Sequence, residues 1–113
     1  MQSERLDATF AALADPVRRG ILARLARGEA SVAELTKPFG ISQPAISRHL
    51  KVLERAGLVS GGRDAQRRPR RLEAKALGQA NQWLESYRRL WESRYEALDA
   101  LLAERKRSKG GRR

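Results

Sequence analysis

The run Gly40-Ile41-Ser42-Gln43-Pro44-Ala45-Ile46-Ser47-Arg48-His49-Leu50-Lys51-Val52-Leu53-Glu54-Arg55-Ala56-Gly57-Leu58-Val59 decides the fold. It reads as a turn, a capped helix and a stop, with a strand starting at once afterwards. Ser42 is placed to cap the helix N-terminus, and Pro44 falls in the first turn, where a missing N–H costs nothing. Gly57 follows the last periodic residue, the place of a C′ glycine. Ile46, Leu50 and Leu53 recur at i, i+4 and i+7 and form one apolar face. Gln43, Ser47, Arg48, Lys51 and Arg55 fall largely on the other side, with no acid before Glu54. An outward face offering an amide, a hydroxyl and several cations suits the major groove of DNA. There polar groups read base edges while cations meet phosphates. An ordinary solvated helix also carries charge, so the neighbouring segments have to decide.

Upstream, Ser31-Val32-Ala33-Glu34 has the form of a capping box, in which Ser31 and Glu34 satisfy each other's orphan N–H groups. The helix it opens is short, with Val32 and Leu35 inward, and Pro38 and Gly40 end it. The link to Ser42 is so tight that the two helices must cross steeply, the layout of a helix-turn-helix. Earlier still, Leu6, Phe10 and Leu13 mark a short amphipathic helix that stops at Ala14-Asp15-Pro16. Asp15 as N-cap and Pro16 at the first helical position start the next one. Val17, Ile21 and Leu25 are its inner residues, and Gly28 closes it.

Downstream the period changes. Leu58-Val59-Ser60 and Arg70-Arg71-Leu72-Glu73 read as strands, and Gly61-Gly62-Arg63-Asp64-Ala65-Gln66-Arg67-Arg68-Pro69 as a basic loop between them. Together they predict a β-hairpin with a long tip, packed on the helices because a two-stranded ribbon is marginal alone. From about Ala74 to Lys106 one helical pattern runs through Leu77, Ala80, Leu84, Tyr87, Trp91, Leu98 and Leu101. About thirty residues make a rod near 45 Å, with Gly78 as the weak point for a bend. Its stripe of Trp83, Tyr87, Leu90, Trp91, Tyr95 and Leu98 has little within one subunit to bury it, which predicts a homodimer helped by Leu6 and Phe10. The domain is thus expected over residues 1–106, with the dimerisation helix at about 75–106. A disordered basic tail is expected at 107–113.

Composition agrees with that reading. In 113 residues, 24 Lys and Arg oppose 13 acids, a net charge of +11 that favours a polyanionic partner, nucleic acid before membrane. There is no cysteine, which excludes disulfides and thiolate metal sites. No signal-peptide core or membrane-length apolar run occurs, so a cytoplasmic protein is expected. With a single histidine, no cysteine and no G-x-x-x-x-G-K motif, an enzyme is not expected, and neither is a cofactor.

The order of these parts resembles the winged helix-turn-helix regulators of the ArsR/SmtB family. The resemblance is carried by Leu13-Ala14-Asp15-Pro16-Val17-Arg18-Arg19-Gly20-Ile21-Leu22, by Ser31-Val32-Ala33-Glu34-Leu35, and most specifically by Ser42 to Leu53 followed by Ala56-Gly57-Leu58-Val59. It spans roughly Phe10 to Leu72. The phrase Trp83-Leu84-Glu85-Ser86-Tyr87-Arg88-Arg89-Leu90-Trp91 looks like a branch without the cysteine metal site. The resemblance implies a mainly α fold with a β-hairpin wing, and a dimeric repressor that binds an imperfect palindrome and leaves it on a signal. The sequence names no effector. Family metal sensors use cysteines in the first motif helix or His and carboxylate ligands in the last helix. Here Val32-Ala33-Glu34-Leu35-Thr36-Lys37 has no cysteine and the last helix no histidine. Glu92 and Glu96 read as surface charges beside Arg88, Arg89 and Arg94, so no metal is expected.

The expected DNA contacts follow from chemistry. Gln43 suits an adenine edge, Arg48 a guanine or phosphate, and Ser47 either kind of acceptor. Ser42, Pro44 and Lys51 belong to the same face, and the helix N-terminus suits a phosphate. His49 is expected either at the DNA backbone or filling a boundary position. Arg63, Arg67, Arg68 and Arg70 are expected along an adjacent minor groove, with Arg71 turned to an acid of its own chain. A non-specific architectural DNA-binding protein is the alternative, since it needs the charge but neither dimer register nor base reading.

Overall fold

The computed structural model describes residues 2–61 and 69–110, without the side chains of residues 2, 109 and 110. The chain divides into two units, residues 1–80 and 81–113.

In the first unit three helices begin where a side chain satisfies orphan N–H groups, those starting at Pro16, Val32 and Gln43. Helix α1 spans Gln2–Leu13 and α2 spans Pro16–Leu25. The Asp15 carboxylate accepts from the N–H groups of Val17 (2.8 Å) and Arg18 (3.1 Å). Those bonds, the Arg18 N–H above all, hold the Asp15 carboxyl below its ordinary range. Helix α3, Val32–Thr36, opens with the complete Ser31–Glu34 capping box and passes into a 3-10 turn over Lys37–Phe39. Gly40 turns that end in the left-handed region at φ 65°, which glycine adopts without a Cβ clash. Ser42 then caps α4, Gln43–Arg55, through a 3.2 Å bond from the Ala45 N–H. Gly57 (φ 76°) stops it, and the Leu58 N–H returns to the Leu53 carbonyl at 2.9 Å.

The core lies where these helices meet. Ile21 and Leu25 of α2, Val32 and Leu35 of α3, Ile46, Leu50 and Leu53 of α4, and Leu58 form one buried cluster. Gly20 sits inside α2 because the Phe39 ring lies over it; a Cβ there would come within 2.6 Å of a ring carbon. The strands β1 (Val59–Ser60) and β2 (Arg71–Leu72) pair antiparallel, Val59 opposite Leu72. Ala30 adds a bridge to Arg70, with backbone bonds of 3.2 and 2.8 Å, so the hairpin base is stitched to the loop before α3. Gly61 (φ 97°) lets the two arms approach, since a Cβ would lie 2.5 Å from the Pro69 carbonyl oxygen. Helix α5, Ala74–Glu85, sends Ala76 and Leu77 back to the core.

One expectation about α1 changes. Its fully buried residues are Thr9 and Ala12, while Leu6 and Leu13 are half-buried and Phe10 is exposed. Where α1 meets α2 and α4, the narrow side chains are the ones that go inward.

In the second unit, the single long rod predicted over 74–106 is broken. Helix α5 ends at Glu85 and α6 runs from Arg88 to Gly110. The break is at Ser86 and Tyr87 rather than at Gly78. The Ser86 hydroxyl donates to the Trp83 carbonyl at 2.6 Å, and the Ser86 and Tyr87 N–H groups bond three residues back. A serine that satisfies a helix carbonyl itself tightens the turn and interrupts the i−4 ladder. Helix α6 enters the stretch expected to be a disordered tail, covering its residues 107–110; residues 111–113 lie outside the described part. Among the described residues no helix is long and apolar enough to cross a membrane.

Candidate nucleic-acid interface

Burying Ile46, Leu50 and Leu53 fixes what α4 turns outward. Gln43, Pro44, Ser47, Arg48 and Lys51 together line a shallow depression of about 340 Å³. Ser47 is half-buried and the other four are exposed. Spacings of three and four residues put them on one side of the helix. No carboxylate interrupts that side, because the only acid of α4, Glu54, is engaged elsewhere: its Oε1 lies 3.3 Å from Arg70 Nε. Ser42 stands at the N-terminal end, its Oγ occupied by the cap.

His49 takes the boundary position. It is half-buried, and its Nδ1 lies 3.4 Å from Arg18 Nη1 of α2. Arginine offers no acceptor, so in this contact Nδ1 can only accept. The same guanidinium donates to the carbonyls of Ala12 (2.8 Å) and Ala11 (3.1 Å) at the end of α1. Arg18 therefore ties the C-terminus of α1 to α4, and His49 belongs to that tie rather than to the outer row.

At the wing, the two arginines of the returning strand exchange their expected places. Arg70 is buried, 7% exposed, against Glu54, whereas Arg71 is exposed. The reason is strand alternation: Leu72 packs on the core, and Arg70, two residues earlier, shares its face. That parity was available from Leu72 alone. The acid partner expected for Arg71 is not found among the described residues, and the nearby Glu73 accepts from Ser60 Oγ at 2.6 Å. Arg63, Arg67 and Arg68 lie outside the described residues.

In the second unit the stripe foreseen for dimerisation is exposed within one chain. Trp83, Tyr87, Leu90, Trp91, Tyr95 and Leu98 are between 45% and 63% accessible, and Leu84, Leu101 and Leu102 are similar. Trp83 and Tyr87 pack edge to face at 5.2 Å, as do Trp91 and Tyr95 at 6.2 Å. Opposite charges surround them: Arg88 bonds Glu92 at 2.6 Å and Glu85 at 3.2 Å. Glu92, read above as a surface charge beside arginines, is thus the partner of Arg88.

Known proteins share this arrangement. Residues 13–61 match the helix-turn-helix domain family. Over 71 residues the chain is 44% identical to the HTH-type transcriptional regulator Rv2034 of Mycobacterium tuberculosis, covering 63% of this chain and 66% of that protein. Over 57 residues it is 40% identical to the transcriptional repressor SdpR of Bacillus subtilis, covering 50% and 63%. The chain thus spans slightly under two thirds of these curated relatives' length. A crystal structure of an ArsR family transcriptional regulator superposes with a TM-score of 0.73 at 38% identity, covering 80% of this chain and 94% of that one. An ArsR-like regulator from Rhodococcus sp. RHA1 gives 0.69 at 29% identity, covering 89% and 93%. None of these is an enzyme by name. With its capped recognition helix, glycine-closed hairpin and this degree of identity over most of a solved relative, the chain belongs to the ArsR family of winged helix-turn-helix transcriptional regulators.

Proposed function

We propose that this protein is a sequence-specific DNA-binding repressor that acts as a homodimer on a palindromic operator. The observation that carries the reading is the outer face of α4: an amide, a hydroxyl and two cations clustered without a carboxylate, Glu54 being held by Arg70. Each α4 enters a major groove, the half-sites lying roughly one helical turn, about 34 Å, apart. Gln43 reads a base, Arg48 a guanine or a phosphate, and Lys51 meets the backbone. Arg71 is the described wing residue placed to meet DNA; Arg63, Arg67 and Arg68 of the wing tip join it by charge. The exposed stripe of Trp83, Tyr87, Leu90, Trp91, Tyr95 and Leu98 supplies the dimer contact, and Leu6 and Phe10 of α1 contribute to it. The repressors among its relatives, SdpR for one, support the sign of regulation. The site is expected to work in the compartment that holds the DNA, the cytoplasm.

Gln43 tests base reading without touching the core, since its side chain is exposed. Gln43→Ala should relax preference at one base pair of each half-site, by about 1–3 kcal/mol or roughly 5- to 150-fold, and leave affinity for random duplex within about twofold. Titrating an operator and its single-base variants against both proteins measures this. A uniform loss on every sequence would remove Gln43 from base reading and favour the architectural alternative.

A further inference from the structure

We propose that the basic end of α6 is a second, sequence-blind contact surface for the phosphate backbone of duplex DNA, carried by Arg105, Lys106, Arg107 and Lys109. It rests on the DNA-binding reading above and extends it to a part of the chain that reading does not use. Helix α6 continues past Leu102, its last large apolar residue, to Gly110. After Glu104 the nine remaining residues hold six cations and no acid. Arg105, Lys106 and Arg107 are exposed, and no ion pair to them is found among the described residues.

Three features select the partner. At roughly 100° per residue, Arg105, Lys106 and Arg107 spread over about 200° of the helix circumference. Such a spread, on a segment (103–110) without a large apolar side chain, leaves no apolar face, which a helix needs to lie in a membrane boundary. Nor does it make the narrow, directed cluster that grips a single phosphate group. A duplex, by contrast, presents one negative charge per about 1.7 Å of its axis, so radiating cations meet phosphates in any register. Part of this charge also offsets the helix dipole at the C-terminus. That role is met by one or two cations in the last turn, and residues 105–109 hold four.

The test replaces R105Q, K106Q, R107Q and K109Q in the full-length chain, glutamine being a comparable helix former. Affinity for a random-sequence duplex and for the operator is measured by anisotropy from about 50 to 200 mM salt, with the helix content followed by circular dichroism. Loss of two to four phosphate contacts should flatten the slope of log K against log salt by about 2–4 units. Both duplexes should weaken by the same factor, leaving their ratio unchanged. The charge-retaining variant R105K with R107K should keep the full slope, separating charge from helix integrity. An unchanged slope in the quadruple variant would overturn the proposal. So would a slope that falls equally in the charge-retaining variant. Wild-type binding to vesicles rich in phosphatidylserine in preference to duplex would overturn it as well. A wild-type protein that fails to prefer any operator would instead defeat the base-reading proposal, and the random-duplex slopes would still judge this one.

Discussion

Trp91→Glu together with Leu98→Glu should convert the proposed homodimer to a monomer and lower operator affinity by about 10²- to 10⁴-fold. The two residues are 48% and 51% exposed in one chain, on a helix whose neighbouring Tyr87, Leu90, Tyr95 and Leu102 are exposed too. A row of that size and character on a single chain is what a partner surface covers. Four carboxylates brought into a two-fold contact repel and are stripped of water. Without the dimer, each recognition helix binds its half-site alone and loses the high effective concentration that the first half-site gives the second. The core of residues 1–80 contains neither position, so its melting should change little. Sedimentation and operator titration check both halves of this expectation. A double variant that still sediments as a dimer would move the interface off α6.

The second large effect concerns stability. Arg70→Ala should destabilise the protein by about 2–4 kcal/mol, a large part of the few kcal/mol that holds a small domain folded. Removing one member of a buried pair leaves the other desolvated. The figure lies below the usual 3–5 because Glu54 keeps 29% of its side-chain surface in water while Arg70 keeps 8%. The loss also loosens the seam where Arg70 pairs with Ala30, and it returns a free carboxylate to α4. Arg71→Ala, one residue on and exposed, should leave stability within about 0.5 kcal/mol and weaken DNA binding instead. Urea denaturation of the two variants separates them. If Arg70→Ala melted like the parent while losing DNA affinity, the minor-groove role first expected of Arg70 would be reinstated.

These two arginines show where a sequence is readable. Signals that act within one turn were legible: Ser42, Ser31 with Glu34, and Asp15 with Pro16 cap helices through bonds two or three residues away. The apolar face of α4 and the glycines at 40 and 57 were equally plain, because periodicity and φ are local properties. Choices between faces that depend on the tertiary partner were not. The inward face of Arg70 follows from its parity with Leu72, but its partner there, Glu54, sixteen positions earlier, is encoded by no periodicity. Thr9 and Ala12 displace Leu6 and Phe10 from the inner face of α1 because narrow residues permit close helix packing. His49 was left between two roles, and only the position of Arg18 on another helix decides for the boundary. The break in the terminal rod turned on a serine hydroxyl outcompeting the helix ladder, while the weaker helix former Gly78 stayed helical.

Selection of bound duplexes from a random-sequence library tests the central claim most directly. The account predicts one enriched motif: an inverted repeat with half-site centres about 10–10.5 base pairs apart, in which Gln43→Ala blurs a single position in each half. Recovery of sequences with no common motif, at an affinity equal to that for unselected DNA, would contradict it.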